Sequence, residues 1–165
     1  LVYDGTVGNL DWEKLHRKAA EWYLKNGEFE NYKEQMHVLI SQFPFVVEYY
    51  NSTAYEFLKI GEYDIAYSYL EKGFRLKPDA FSSKWLGIIV LSKGNNESAV
   101  KFLKKSLSFD PKDSQVLFNL AGAYSRLKLY DKSLAAINSC LQIDPAFPGA
   151  SDLKSQVERL INQNE

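Results

Sequence analysis

Between Ser114 and Pro145, apolar residues recur every three or four positions in two runs split by a short break. Leu117, Leu120, Ala121, Tyr124 and Leu127 form the first run; Tyr130, Leu134, Ile137, Cys140, Leu141 and Ile143 form the second. That period puts each set on one side of an α-helix and does not fit the two-residue alternation of a strand. Pro145 ends the second helix, because it has no N–H and its ring collides with the preceding turn. The same proline stands at Pro44, Pro78 and Pro111, at intervals of 34, 33 and 34 residues along the series. One helix pair is therefore written four times, over 11–44, 45–78, 79–111 and 112–145.

The earlier units fill the same scheme. In the first, Asp11 is the expected N-cap and Glu13 suits the first turn. Its helix runs to about residue 26 with Leu15, Ala19, Trp22 and Tyr23 on one side, Gly27 reverses the chain, and a second helix covers about 28–42. The second unit carries Tyr50, Thr53, Ala54, Phe57 and Leu58, a turn at Gly61, then Tyr63, Ala66, Leu70, Phe74 and Leu76. The third has Leu86 and Gly87, a turn at Gly94, then Ala99, Phe102, Leu103 and Leu107. Lys128 occupies the turn where the other units have glycine, and a positive φ there costs about 1 kcal/mol. Residues 1–10 lack periodicity and read as a lead-in, the tail of an upstream domain. Within 147–165, Leu153, Val157, Leu160 and Ile161 make one narrow apolar stripe, as a terminal capping helix requires. The expectation is nine helices and no strand.

These units resemble the tetratricopeptide repeat, whose period is 34 residues. Leu86-Gly87, Leu120-Ala121 and Thr53-Ala54 stand at the family's Leu-Gly pair, and Tyr124 and Phe57 at its aromatic, from which Val90 departs. Ala66 and Ala99 meet its small residue in the second helix, and Ser133 meets it loosely. In the first unit Tyr32 and Leu39 replace small residues, which would splay that helix pair. The resemblance implies an all-α fold, an α-solenoid of four tetratricopeptide-like helix pairs plus a C-terminal capping helix. It also implies that the first helices line a concave groove holding a peptide or a partner's helix, without cofactor or chemistry.

Helical projection gives that groove its contents. Its expected partner-binding residues are Asn51, Tyr55, Phe81, Lys84, Trp85, Ile88, Phe118 and Asn119. Trp85, Tyr55 and Phe118 are read as docking aromatics, because rigid aromatics often dominate interface energy; packing between neighbouring helices is the alternative for Trp85 and Phe81. Lys14, Arg17 and Lys18 make a basic end of the groove, or simply a solvated helix face, which is the commoner role of such clusters. A subset of the family grips the C-terminal carboxylate of chaperones with paired Lys, Arg and Asn side chains. One register of this chain offers Arg17, Glu21, Ser52, Phe81 and Trp85; the other offers Asn51, Tyr55, Trp85, Gln115 and Asn119. Neither makes a cationic clamp.

Composition narrows the remaining choices. A net charge of −1 over 165 residues argues against a nucleic-acid binder, and 45% hydrophobic residues argue against disorder. No apolar run is long enough to insert directly in a bilayer. The lone Cys140 excludes an internal disulfide, and an inward-facing free thiol is its expected role. His16 and His37 lack a third ligand at metal spacing, so no metal site is expected, and no nucleotide or hydrolase motif occurs. The N-triplets at Asn51 and Asn96 fall on helices and read as chance glycosylation matches. The compartment is not legible, a cytoplasmic setting being the default. Protein or peptide binding is thus the leading function and catalysis is not expected. An accessory domain of a larger enzyme is one alternative; homodimerisation through an edge of Trp12, Leu15 and Tyr32 is another.

Overall fold

A computed structural model describes the backbone of residues 5–163 and the side chains of residues 12–163. Among the described residues there are nine α-helices and no strand: α1 Gly5–Lys25, α2 Phe29–Gln42, α3 Val47–Lys59, α4 Tyr63–Leu76, α5 Ala80–Ser92, α6 Asn96–Leu107, α7 Ser114–Arg126, α8 Tyr130–Ile143 and α9 Ala150–Asn162. They fall into two compact units, α1–α4 and α5–α9. In each unit the paired helices, α1 with α2 through α7 with α8, make the most extensive contacts.

The helix reversals are one motif built four times. The N–H of Glu28, Glu62, Asn95 and Leu129 each reaches back 2.9 Å to the carbonyl of Tyr23, Phe57, Val90 and Tyr124 respectively. This six-residue closure forces the residue before the donor into the left-handed region. Gly27, Gly61 and Gly94 take it freely, and Lys128 is held at φ +59 to complete the fourth. Replacing Lys128 by glycine relieves that strain. We expect Lys128→Gly to raise stability by about 1 kcal/mol, less glycine's extra freedom in the unfolded chain. An unchanged urea midpoint would refute this account of the turn.

In the first unit the core gathers on Tyr32, Leu39, Ala54, Phe57, Ala66 and Leu70, all buried. Phe57 contacts Tyr69, stacked parallel at 6.4 Å between centroids, and Tyr32, tilted at 6.4 Å. Gly73 lets α4 approach α3, since a Cβ there would lie 3.1 Å from Tyr50 Cβ. In the second unit Gly87 faces Leu103, and small residues supply polar ties. Ser106 Oγ donates to the Ala80 carbonyl at 3.1 Å. One repeat later Cys140 Sγ donates to Ser114 at 3.3 Å, so the buried thiol repeats the serine's role. Ser133, the loose match to alanine, is fully buried and donates to the Ala121 carbonyl at 2.8 Å. A hydroxyl is tolerated there because it has a partner.

Two sequence expectations change. The first helix begins at Gly5, six residues before the expected cap Asp11, so most of the supposed lead-in is helical; residues 1–4 lie outside the described residues. Leu15 and Trp22, read as part of an apolar face, are 64% and 56% exposed, while Ala20 is buried, alone among the described α1 side chains. α1 is thus buried along a narrower line than its apolar pattern suggests. In α9, Ala150 and Val157 are buried and Leu153, Leu160 and Ile161 are half-buried, the one-sided burial of a terminal helix.

Candidate partner-binding face

In the first unit a cleft of about 480 Å³ opens between α1 and α3, with α2 behind it. Its floor is apolar: Ala20 and Leu24 from α1, Met36 and Leu39 from α2, and Val46. Tyr32 and Leu39, the bulky substitutions, are 3% and 0% exposed and form the back of this cleft. Arg17 and Tyr55, both expected groove residues, come together on its walls with Glu13, Glu21, Glu48, Tyr49, Ser52 and Glu56. Residues 13, 17, 21 and 24 share one stripe of α1 because they are three and four apart.

The walls are partly wired. Tyr49 Oη donates to the Glu13 carboxylate. Arg17 Nη1 lies 3.9 Å from the same carboxylate. Burial, then the hydrogen bond to Glu13, pushes the Tyr49 hydroxyl up to about 12; burial pushes Tyr32 up to about 12. Both phenols therefore stay neutral at physiological pH, and the cleft's charge is set by its glutamates and Arg17. Glu56 accepts from Lys59 Nζ at 2.7 Å, and the same ammonium lies 5.5 Å from the centre of the Tyr55 ring. Tyr55 itself is 49% exposed. Lys14 and Lys18 are exposed and do not line the cleft, so the expected basic end is represented there by Arg17 alone, among four glutamates. Asn51 is half-buried on α3, its Oδ1 3.3 Å from where a Gly73 Cβ would stand.

The other expected residues lie in the second unit. Phe81, Lys84, Trp85 and Ile88 are half-buried on α5. Lys84 Nζ donates to Asp113 Oδ2 at 2.8 Å, while Asp113 Oδ1 accepts from the Val116 N–H and caps α7. At the opposite end Arg126 Nη1 donates to the Leu91 carbonyl at 3.0 Å. Lys84 and Arg126 thus tie α5 to α7. Asn119 donates to Gln115 in its own helix at 2.7 Å. Phe118 packs against Phe147 with centroids 5.1 Å apart, and Gly149 lies close beneath its ring. At Gly122 a Cβ would meet nothing within 4 Å, so this part of α7 is open.

The self-association edge changes composition. Tyr32 is buried, and the Trp12 ring lies tilted against His16 with centroids 4.1 Å apart and approaches Phe43 at 6.4 Å. Of the three named residues only Leu15 stays largely exposed, joined by Trp22 one heptad on. His16 Nδ1 sits 2.7 Å from Gln35 Oε1. His37 lines a separate hollow of about 400 Å³ with Lys33, Glu34, Val38 and Tyr69. Among the described residues no group of three or more His, Cys, Asp or Glu is placed to hold a metal ion, and no helix is long and apolar enough to cross a membrane.

The acidic character of the first cleft escaped the sequence reading. Helical projection puts Glu21 and Glu48 on the same side as Lys14, Arg17 and Lys18, and the three cations together suggest a basic end. The available signal was that Glu13, Arg17 and Glu21 alternate in sign along a single stripe, whereas Lys14 and Lys18 sit one position round the helix.

Comparison with known proteins supports the reading of the repeats. Residues 85–113 match the tetratricopeptide repeat model, and residues 115–164 match the Fis1 C-terminal tetratricopeptide repeat. Over 89 residues the chain is 30% identical to the BBSome complex member BBS4 of Bos taurus, covering 54% of this chain and 17% of that protein. Over 87 residues it is 30% identical to the Hsp70-Hsp90 organising protein of Plasmodium falciparum, covering 53% and 34%. It therefore spans about a third or less of these relatives. Among solved structures, MamA 41-end from Desulfovibrio magneticus RS-1 superposes with a TM-score of 0.71 at 18% identity, over 93% of this chain and 97% of that one. YrrB, described as a TPR protein with an unusual peptide-binding site, gives 0.77 at 14% identity over 88% and 76%. The fold class is accordingly the all-α tetratricopeptide solenoid, a protein-interaction scaffold. On these matches residues 85–164 are tetratricopeptide repeats, and the helix pairs before them share the same period and turn geometry.

Proposed function

We propose that the chain is a protein-interaction module that takes a peptide or helix of a partner on the face made by its first helices. The observation that carries this is the open cleft between α1 and α3, with an apolar floor and polar walls. Its volume of about 480 Å³ falls within the few hundred to a thousand Å³ usual for binding pockets. Tyr55 on the wall is a rigid, exposed aromatic of the kind that anchors interfaces. In the second unit half-buried Trp85 and Ile88 on α5, and the open side of Gly122 on α7, supply further contact surface. No catalytic residues are assigned, and as an accessory domain of a larger enzyme the chain would leave catalysis to other parts. Self-association is a second reading, favoured by Leu15 and Trp22 lying exposed one heptad apart on α1.

The test uses peptides selected from a random dodecapeptide library on the whole chain. Ser52→Trp fills the first cleft and Gly122→Trp fills the open side of α7; both positions have room, so the fold is retained. At least one variant is expected to weaken the selected peptides tenfold or more. Equal affinity for the parent and both variants overturns the proposed face. Sizing of the same samples decides self-association, which a monomeric parent removes.

A further inference from the structure

The first-unit cleft is not neutral, and its imbalance selects an occupant. Four glutamates line it against one arginine. That arginine is turned toward Glu13, which also accepts the Tyr49 hydroxyl. Glu56 is held by Lys59. Glu21 on α1 and Glu48 on α3 remain: both are exposed, they line opposite walls, and neither has a cationic or hydrogen-bonding partner among the described residues. Between the walls lies the apolar floor of Leu24, Met36, Leu39 and Val46.

We infer that this cleft takes a basic peptide segment, an aliphatic or aromatic anchor flanked by lysine or arginine, with the anchor on the floor and its cations against Glu21 and Glu48. This rests on the interaction reading above and adds the chemistry of the partner. An acidic segment is opposed by Glu21 and Glu48, and the one guanidinium lining the cleft lies 3.9 Å from Glu13. Neutral apolar segments gain the floor but leave the two glutamates unanswered. The cations act mainly through steering and selection, since exposed ion pairs contribute little each and weaken as salt screens them. The anchor supplies most of the affinity through burial of apolar surface.

Three amphipathic decapeptides of equal length, built from Leu/Lys, Leu/Gln and Leu/Glu, are titrated against the whole chain at about 50 mM and 300 mM salt. The expected order is Leu/Lys tightest and Leu/Glu weakest, with the Leu/Lys advantage over Leu/Gln shrinking at least threefold at the higher salt. The double variant E21Q/E48Q should weaken Leu/Lys about tenfold at low salt. E97Q, an exposed change on α6, is the control for general charge and should leave all three peptides unmoved. Both glutamates are exposed and unpaired, so the double variant keeps the parent helicity and melting temperature. Leu/Lys affinity untouched by E21Q/E48Q, or Leu/Glu binding as tightly as Leu/Lys, overturns the basic-segment assignment. If in that case all three peptides still compete with each other and are all blocked by Ser52→Trp, the interaction reading survives without it. If none binds, both fall.

Discussion

Replacing Phe57 with alanine is expected to cost the first unit about 3–5 kcal/mol, the range for truncating a buried aromatic. Phe57 is 1% exposed and central: Tyr69 of α4 stacks parallel to it, and Tyr32 of α2 lies tilted beside it. Removing the ring forfeits its transfer free energy, leaves a cavity, and takes away two aromatic contacts, each worth about 0.5–1.5 kcal/mol beyond area burial. Tyr32 cannot collapse into the space easily, because it is itself 3% exposed and backs the candidate cleft. A loss of this size is a large share of the 5–15 kcal/mol typical of a whole domain. Repeat proteins lose structure locally, so the readout is amide hydrogen exchange by helix. Protection should collapse in α2, α3 and α4 and fall far less in α7 and α8. Uniform loss through all the helices, or a cost below about 1 kcal/mol, would sink this picture of a separately cored first unit.

How far the sequence carries depends on whether a residue's role is local. The turns were legible because one geometry recurs: Gly27, Gly61 and Gly94 mark it, and Lys128 betrays by its place in the period that it must adopt the same positive φ. Helix endings before the four prolines were legible for the same reason. The start of α1 was not, because nothing in 5–10 carries an amphipathic period, and the helix there begins well before the residue that looks like its cap. Burial on α1 was misread for a related cause. Leu15 and Trp22 share an apolar face with Ala19, but a face is buried only if another element covers it. At the candidate site, projection brought Arg17 and Tyr55 toward one concavity, since that follows from the repeat. It could not show that Arg17 would bend to Glu13, that Lys84 would be committed to Asp113 across α5 and α7, or that Phe118 would lie against Phe147. Those are pairings between distant residues whose geometry no helical wheel contains.

The second large effect concerns a glycine and turns on the difference between two glycines in equivalent secondary structure. Gly87 in α5 and Gly122 in α7 are both helix-interior positions, where alanine is intrinsically better than glycine by about 1 kcal/mol. Their surroundings reverse the outcome. A Cβ on Gly87 would stand 2.7 Å from Leu103 Cγ, 2.8 Å from its Cδ2 and 3.2 Å from its backbone nitrogen. Leu103 is fully buried, so its side chain has nowhere to swing, and the backbone contact means that α6 itself must move away from α5. Gly87→Val is therefore expected to destabilise the second unit by about 3 kcal/mol, at the upper end of overpacking costs because valine adds two further carbons against the same wall. Gly122→Ala should instead gain up to about 1 kcal/mol, since its Cβ meets nothing. Urea unfolding followed by Trp85 emission, in a background with Trp12 and Trp22 changed to phenylalanine, reads the second unit directly. Opposite shifts of the midpoint are the expected result. If Gly87→Val unfolds at the parent midpoint, α5 and α6 are not as closely packed as described, and the glycine at this place in the repeat serves the backbone and not the helix contact.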